Sequence, residues 1–125
     1  MFTIQYEMVP DGYTVCRPAG ELDAFSVHQF RQGLADVASS RRLVIDLSAV
    51  PFVDSAGLGA LIGGIRRVRD MGGTVVVACG RTTLAALLHT TGIDRIVTVT
   101  GTVAEAAAWL AGAEAARQGS SPALT

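Results

Sequence analysis

Two short apolar runs set the frame of this chain: Leu43-Val44-Ile45-Asp46-Leu47 and Thr74-Val75-Val76-Val77-Ala78-Cys79. Runs of this length, rich in β-branched residues and without polar alternation, predict strands covered on both faces. Between them, from about Ala56 to Met71, apolar residues recur at helical spacing until Gly72-Gly73 stops the pattern. A buried strand, a helix and a second buried strand predict a parallel sheet with helices packed on it.

The flanks extend this alternation. Phe2, Ile4, Tyr6 and Met8 alternate with Thr3, Gln5 and Glu7, the period of a half-buried strand. Pro10-Asp11-Gly12 turns the chain into a second strand, Tyr13 to Arg17, giving an antiparallel hairpin. Asp23 is expected to cap a first helix, with Leu22 stapled to Val27 and with Val27, Phe30, Leu34 and Val37 facing the core before Ser39-Ser40 ends it. Leu84, Leu87 and Leu88 mark a short third helix closed by Gly92, and Arg95 to Val99 a last short strand. Thr102-Val103-Ala104-Glu105 has the form of a capping box and opens a final helix through Trp109 and Leu110. The predicted order is ββαβαβαβα: an α/β fold whose mixed, mostly parallel sheet carries an antiparallel N-terminal edge hairpin and about four helices. One domain is expected over residues 1–112. Residues 113–125 are expected to hold the helix end and a flexible tail, since Gly, Ser and Pro dominate from Gln118 onward.

At 125 residues the chain can bury a core without staples, and 50% apolar against 17% charged residues suits a folded domain. A net charge of −1 offers no basic footprint, so no nucleic-acid partner is expected. Cys16 and Cys79 both sit in strand-like runs and read as small buried hydrophobes in a reducing compartment. Gln5 and Glu7 interrupt any signal-peptide pattern, and the longest apolar run, Ala56 to Ile65, is about half of the roughly 20 residues that span a bilayer. The expectation is a soluble cytoplasmic protein with no membrane partner. The sequence leaves oligomeric state open, with monomer as the default.

Catalytic patterns fail one by one. Val53 stands where a hydrolase elbow needs its first glycine before Ser55. Gly57-Leu58-Gly59-Ala60-Leu61-Ile62-Gly63 misses the dinucleotide spacing by one residue, and the chain has no lysine for a phosphate-binding loop. His28 and His89 fall on different helices and read as surface residues. The only acidic cluster after the first parallel strand is Glu21 with Asp23, and Asp46, inside a buried strand, needs a hydrogen-bonding partner. No catalytic residue, metal site or cofactor is expected, and the chain is not read as an enzyme.

The second helix carries the functional expectation. Leu58, Leu61, Ile62, Ile65 and Val68 form its core side, while Ala56, Gly59, Ala60 and Gly63 line the opposite side and end near Arg66 and Arg67. A solvated helix face ordinarily carries long polar residues, and each helical glycine costs about 1 kcal/mol relative to alanine. The bare stripe therefore predicts close approach by another protein, with Gly57 and Gly64 instead accommodating elements of the same chain. Ser55, where the helix begins, has two readings: a helix cap assisted by Asp54, or a phosphoacceptor whose dianion the helix N-terminus would tolerate.

Gly20-Glu21-Leu22-Asp23, Leu43-Val44-Ile45-Asp46-Leu47 and Phe52-Val53-Asp54-Ser55-Ala56-Gly57-Leu58-Gly59 together resemble a STAS domain, and more narrowly the anti-sigma factor antagonists of bacteria. Leu88-His89-Thr90-Thr91-Gly92-Ile93-Asp94 is similar to that family's third-helix ending. The resemblance implies binding to an anti-sigma factor, a serine kinase with an ATPase-like fold, and so release of a sigma factor. It implies that phosphorylation of Ser55 abolishes binding and that a phosphatase acting on phosphorylated Ser55 restores it. It places Asp54, Gly57, Leu58 and Gly59 on the contact surface with Ala56 and Gly63, and Asp23 near the acceptor. Ala56 departs from the many relatives that carry a second hydroxyl there. The other reading is a STAS module serving as a constitutive scaffold or transport-accessory subunit, with Ser55 structural.

Overall fold

The N-terminal hairpin pairs β1 (Thr3–Val9) with β2 (Tyr13–Ala19), Thr3 opposite Ala19 and Val9 opposite Tyr13. Gly12 closes its turn at φ +97°, a left-handed conformation that favours glycine, and its N–H donates to the Val9 carbonyl at 2.9 Å. From β2 onward every pairing is parallel: β3 (Arg42–Asp46), β4 (Thr74–Ala78) and β5 (Thr98–Thr100) follow in the spatial order β1-β2-β3-β4-β5. This computed structural model describes residues 1–10 and 12–120, the last four by backbone alone. The Asp11 part of the expected turn and residues 121–125 of the expected tail lie outside the described residues.

The crossovers are α1 (Val27–Asp36) between β2 and β3, α2 (Ser55–Asp70) between β3 and β4, and α3 (Thr82–Thr90) with a one-turn α4 (Ile93–Ile96) between β4 and β5. A last helix, α5 (Val103–Ser120), follows β5. Alternation along the central strands divides the core. Leu43, Ile45, Val75 and Val77 pack with Phe30, Leu34, Leu61, Ile65, Leu84, Leu88 and Ile93, so α1 to α4 share one face of the sheet. Val44 and Val76 meet Ala106 and Leu110 of α5 on the other. Both faces of β3 and β4 are therefore covered, which is why these segments lack polar alternation.

Three boundaries differ from expectation. The first helix begins at Val27 rather than after Asp23, because the Asp23 carboxylate accepts from the Phe25 and Ser26 N–H groups and closes a turn before it. The segment read as a strand from Arg95 splits: Gly92, at φ +80°, ends α3, the buried Ile93 anchors α4, and pairing resumes only at Thr98. The final helix runs on to Ser120, past Gln118, where the composition turns to Gly, Ser and Pro. Its start is as predicted: the Thr102 hydroxyl accepts from the Glu105 N–H at 3.1 Å, and the Glu105 carboxylate accepts from the Gly101 N–H at 3.1 Å.

Cys16 and Cys79 are both free and buried, and burial pushes the Cys16 thiol up to about 12. Below pH 9 the thiol is protonated in both folded and unfolded chains and contributes no pH dependence. Between pH 9 and 12 only the unfolded chain releases this proton, so stability falls as pH rises, by roughly 1 kcal/mol per pH unit. Urea unfolding at pH 8 and pH 10.5 should show a larger loss for wild type than for Cys16→Ala.

Candidate functional site

Because β2, β3 and β4 are parallel, the loops leaving their C-terminal ends gather at one edge of the sheet. Two of these loops zip together beyond the strands. Ala19 bridges Ala49 and Leu22 bridges Val53, both parallel. The Gly20 N–H donates to the Ala49 carbonyl at 3.0 Å, the Leu22 N–H to the Phe52 carbonyl at 2.8 Å, and the Asp54 N–H to the Leu22 carbonyl at 3.0 Å. Leu22 and Val53 are buried. Asp23 and Asp54 each follow a member of that bridged pair, so the backbone of Asp23 runs beside the start of α2.

Asp54 is the N-cap of α2. Its backbone is extended (φ −96°, ψ −174°), its carboxylate accepts from the Gly57 N–H at 2.9 Å, and its carbonyl accepts from the Leu58 N–H at 2.9 Å. Ser55 is thus the first helical residue and not the cap. It is exposed, and its hydroxyl forms no hydrogen bond with a described residue. The amides of Ser55 and Ala56 remain at the open end of the helix, where the macrodipole favours negative charge.

Ser55, Gly59 and Gly63 follow one line along the exposed side of α2, at spacings of one helical turn, and reach the exposed Arg66 and Arg67. A Cβ added at Gly59 or Gly63 would meet nothing within 4 Å, so packing within the chain explains neither glycine. Ala56 and Leu58 are half-buried, Leu58 against the core. Ala60, expected on the bare stripe, is only 2% exposed, because α1 packs along this side of α2. Gly57 is buried as well: a Cβ there would lie 2.7 Å from Leu22 Cγ, 2.8 Å from the Leu22 carbonyl oxygen and 2.9 Å from Val53 Cγ1. It lets the bridged loops close over the helix and offers no surface of its own. Gly64 likewise admits Leu34 of α1.

Sequence reasoning missed two aromatics here. Phe52, just before α2, is 51% exposed, and Phe25, just before α1, is 96% exposed. Phe25 had a signal, since it lies off the spacing of Val27, Phe30 and Leu34. It also missed Ser26, whose buried hydroxyl accepts from the Asp23 N–H at 3.0 Å and donates to the Glu21 carbonyl at 2.7 Å.

The charge around Ser55 is acidic, from the exposed Glu21 and the half-buried Asp23 and Asp54. Other ionisable groups are engaged elsewhere. Asp46 accepts from the Ser48 N–H at 3.0 Å and its hydroxyl at 2.6 Å, and Arg17 Nε lies 3.4 Å away. Arg81 Nε donates to the Ser48 carbonyl at 2.8 Å. His28 and His89 are both exposed, and His89 Nδ1 lies 2.7 Å from an Asp94 carboxylate oxygen on α4. The arrangement presents a hydroxyl on a rigid helix start beside a shallow, small-residue surface, accessible to another protein.

Residues 6–106 match the STAS domain family. The anti-sigma-B factor antagonist of Bacillus subtilis (strain 168) is 32% identical over 82 residues, which cover 65% of this chain and 75% of that protein. The crystal structure of an anti-sigma factor antagonist from Mycobacterium paratuberculosis superposes with a TM-score of 0.73 at 31% identity, covering 86% of this chain and 92% of that one. A sulfate transporter family protein from Wolinella succinogenes shares the fold, with a TM-score of 0.71 at 17% identity over 82% of this chain and 88% of that one.

The roles of neighbouring residues should separate in thermal or urea unfolding. Asp54→Ala should cost about 1 kcal/mol as a lost cap, whereas Ser55→Ala should stay within about 0.5 kcal/mol. Gly57→Ala should cost about 1–3 kcal/mol through overpacking, while Gly59→Ala, in open space, should gain up to about 1 kcal/mol.

Proposed function

We propose, for a chain that belongs to the STAS domain family, the function of an anti-sigma factor antagonist: it binds an anti-sigma factor through the exposed start of α2, and phosphorylation of Ser55 switches that binding off. The observation that carries this reading is the division of labour at the helix start, where Asp54 holds the cap and leaves the Ser55 hydroxyl exposed and uncommitted. The anti-sigma factor is a serine kinase with an ATPase-like fold, a phosphatase acting on phosphorylated Ser55 reverses the modification, and the exchange takes place in the cytoplasm. Among the described residues no helix is long and apolar enough to cross a membrane.

In the unmodified form, Gly59 and Gly63 let the partner's backbone come close, and Phe52, exposed just before the helix start, offers apolar area on the α3 side. Phosphorylation adds roughly two negative charges and three acceptor oxygens next to Asp54 and Asp23. The helix N-terminus offsets part of that charge within the fold. At an interface the same dianion would have to be stripped of water beside two carboxylates, so association is lost while the domain stays folded.

Affinity capture from native-host lysate with wild-type and Ser55→Asp baits tests this reading. Wild type should retain an ATPase-fold regulator at least tenfold better than the Asp variant, with unfolding midpoints that agree. Incubation of the recovered regulator with ATP should add a single phosphoryl group to wild type and none to Ser55→Ala by intact-mass spectrometry. Equal capture by both baits would instead make Ser55 structural and the protein a constitutive STAS scaffold.

A further inference from the structure

Two surface features fit one another, and the second of them borders that contact at Gly63. The first is Phe25, 96% exposed and held on a rigid turn. The Asp23 carboxylate accepts from the Phe25 N–H at 2.9 Å and the Ser26 N–H at 3.1 Å, and the buried Ser26 hydroxyl ties the turn back to the Glu21 carbonyl. An aromatic ring displayed on a preorganised turn loses little conformational freedom on docking. Its charged neighbours in the turn, Glu21 and Asp23, are both acidic.

The second feature is a groove of about 150 Å³ between α1 and α2, lined by Arg31, Leu34 and Ala35 on one side and Ala60, Gly63 and Arg67 on the other. Leu34 and Ala60 make its floor apolar, and Gly63 leaves it open. Arg31 and Arg67 are exposed, and neither guanidinium forms an ion pair or hydrogen bond with a described residue. A space of about 150 Å³ accommodates a benzene ring, and guanidinium groups favour aromatic faces. An aromatic knob flanked by acids thus matches, in size and charge, an apolar socket flanked by arginines.

We propose that this face is a homodimer interface in which Phe25 of each copy seats in the Arg31–Arg67 groove of the other, with Glu21 and Asp23 set against the arginines. Phe25 stands on the turn just before α1, and Arg31 and Leu34 lie within the first turns of that helix. With knob and socket on neighbouring parts of one surface, two copies related by a two-fold axis would satisfy both at once, and the assembly closes at two. The dimer replaces the monomer that the sequence alone sets as default. It shares Gly63 with the proposed anti-sigma factor contact but not Ser55, and self-association of the isolated chain is read without that factor, so its failure and that of the proposed function are distinguishable.

Sedimentation equilibrium of the full chain at low and high salt is the test. Wild type should show a monomer–dimer equilibrium whose dissociation constant rises with salt. Phe25→Ser and Arg67→Glu should each raise it at least tenfold, with far-UV circular dichroism and unfolding midpoint unchanged. Glu21→Arg should weaken association as well, and combining it with Arg67→Glu should bring the constant back to within about threefold of wild type. A wild type that stays monomeric at millimolar concentration overturns the proposal. So does a dimer indifferent to Phe25→Ser or to Arg67→Glu, an assembly that grows past two, or a charge swap that recovers nothing.

Discussion

Past the ends of β2 and β3 the two chain segments keep running side by side, bridged at Ala19–Ala49 and again at Leu22–Val53. This extension is not part of the regular sheet, yet it positions everything at the sheet edge. It buries Leu22 and Val53 between the loops and the core, and it carries Asp23 and Asp54 out to adjacent places. Gly57 completes it, since a side chain there would collide with Leu22 and Val53 and push α2 away from the bridge. The turn before α1 and the cap of α2 therefore form one rigid unit, locked through the Asp23 carboxylate, the Ser26 hydroxyl and the Asp54 carboxylate.

Much of this architecture was legible in the sequence because it follows from burial. Strands covered on both faces must be apolar throughout, so Leu43–Leu47 and Thr74–Cys79 announce a parallel sheet. The hairpin followed from alternation and a turn glycine, and the Thr102–Glu105 cap from side chains that can satisfy free amides only at a helix start. The approach of the Asp23 segment to the start of α2 was legible only through the family resemblance, since the bridge that brings them together joins residues far apart in the chain.

The failures share a cause: they turn on one-residue questions that periodicity does not resolve. Whether Asp54 or Ser55 caps α2 depends on which of two adjacent residues is extended, and both types cap well. Ala60 was placed on the bare stripe by helical angle alone, but the approach of α1, admitted by Gly64, covers that side of α2. In the same way, a single turn of helix at Ile93–Ile96 is too short to show a period, and its second half reads as the start of a strand. The helical glycines went the other way: the wheel set Gly57 and Gly64 against the same chain and Gly59 and Gly63 toward the outside, and the structure divides them so.

On the proposed reading, stability and recognition rest on different atoms of a single helical turn. The Asp54 carboxylate satisfies the Gly57 amide and the bridge satisfies the Asp54 amide, so the fold makes no demand on the Ser55 hydroxyl. Its modification therefore changes the free energy of the bound state far more than that of the folded state, which is what a switch requires. Linkage adds a constraint: a partner that binds only the unmodified hydroxyl must, while bound, disfavour phosphorylation by others to the same extent. A partner that is itself the kinase escapes this constraint, because the group that recognises the hydroxyl also transfers the phosphoryl group, and product formation ends the complex. An exposed acceptor on a helix start whose cap is held elsewhere suits that arrangement, since it can enter an active site without unfolding.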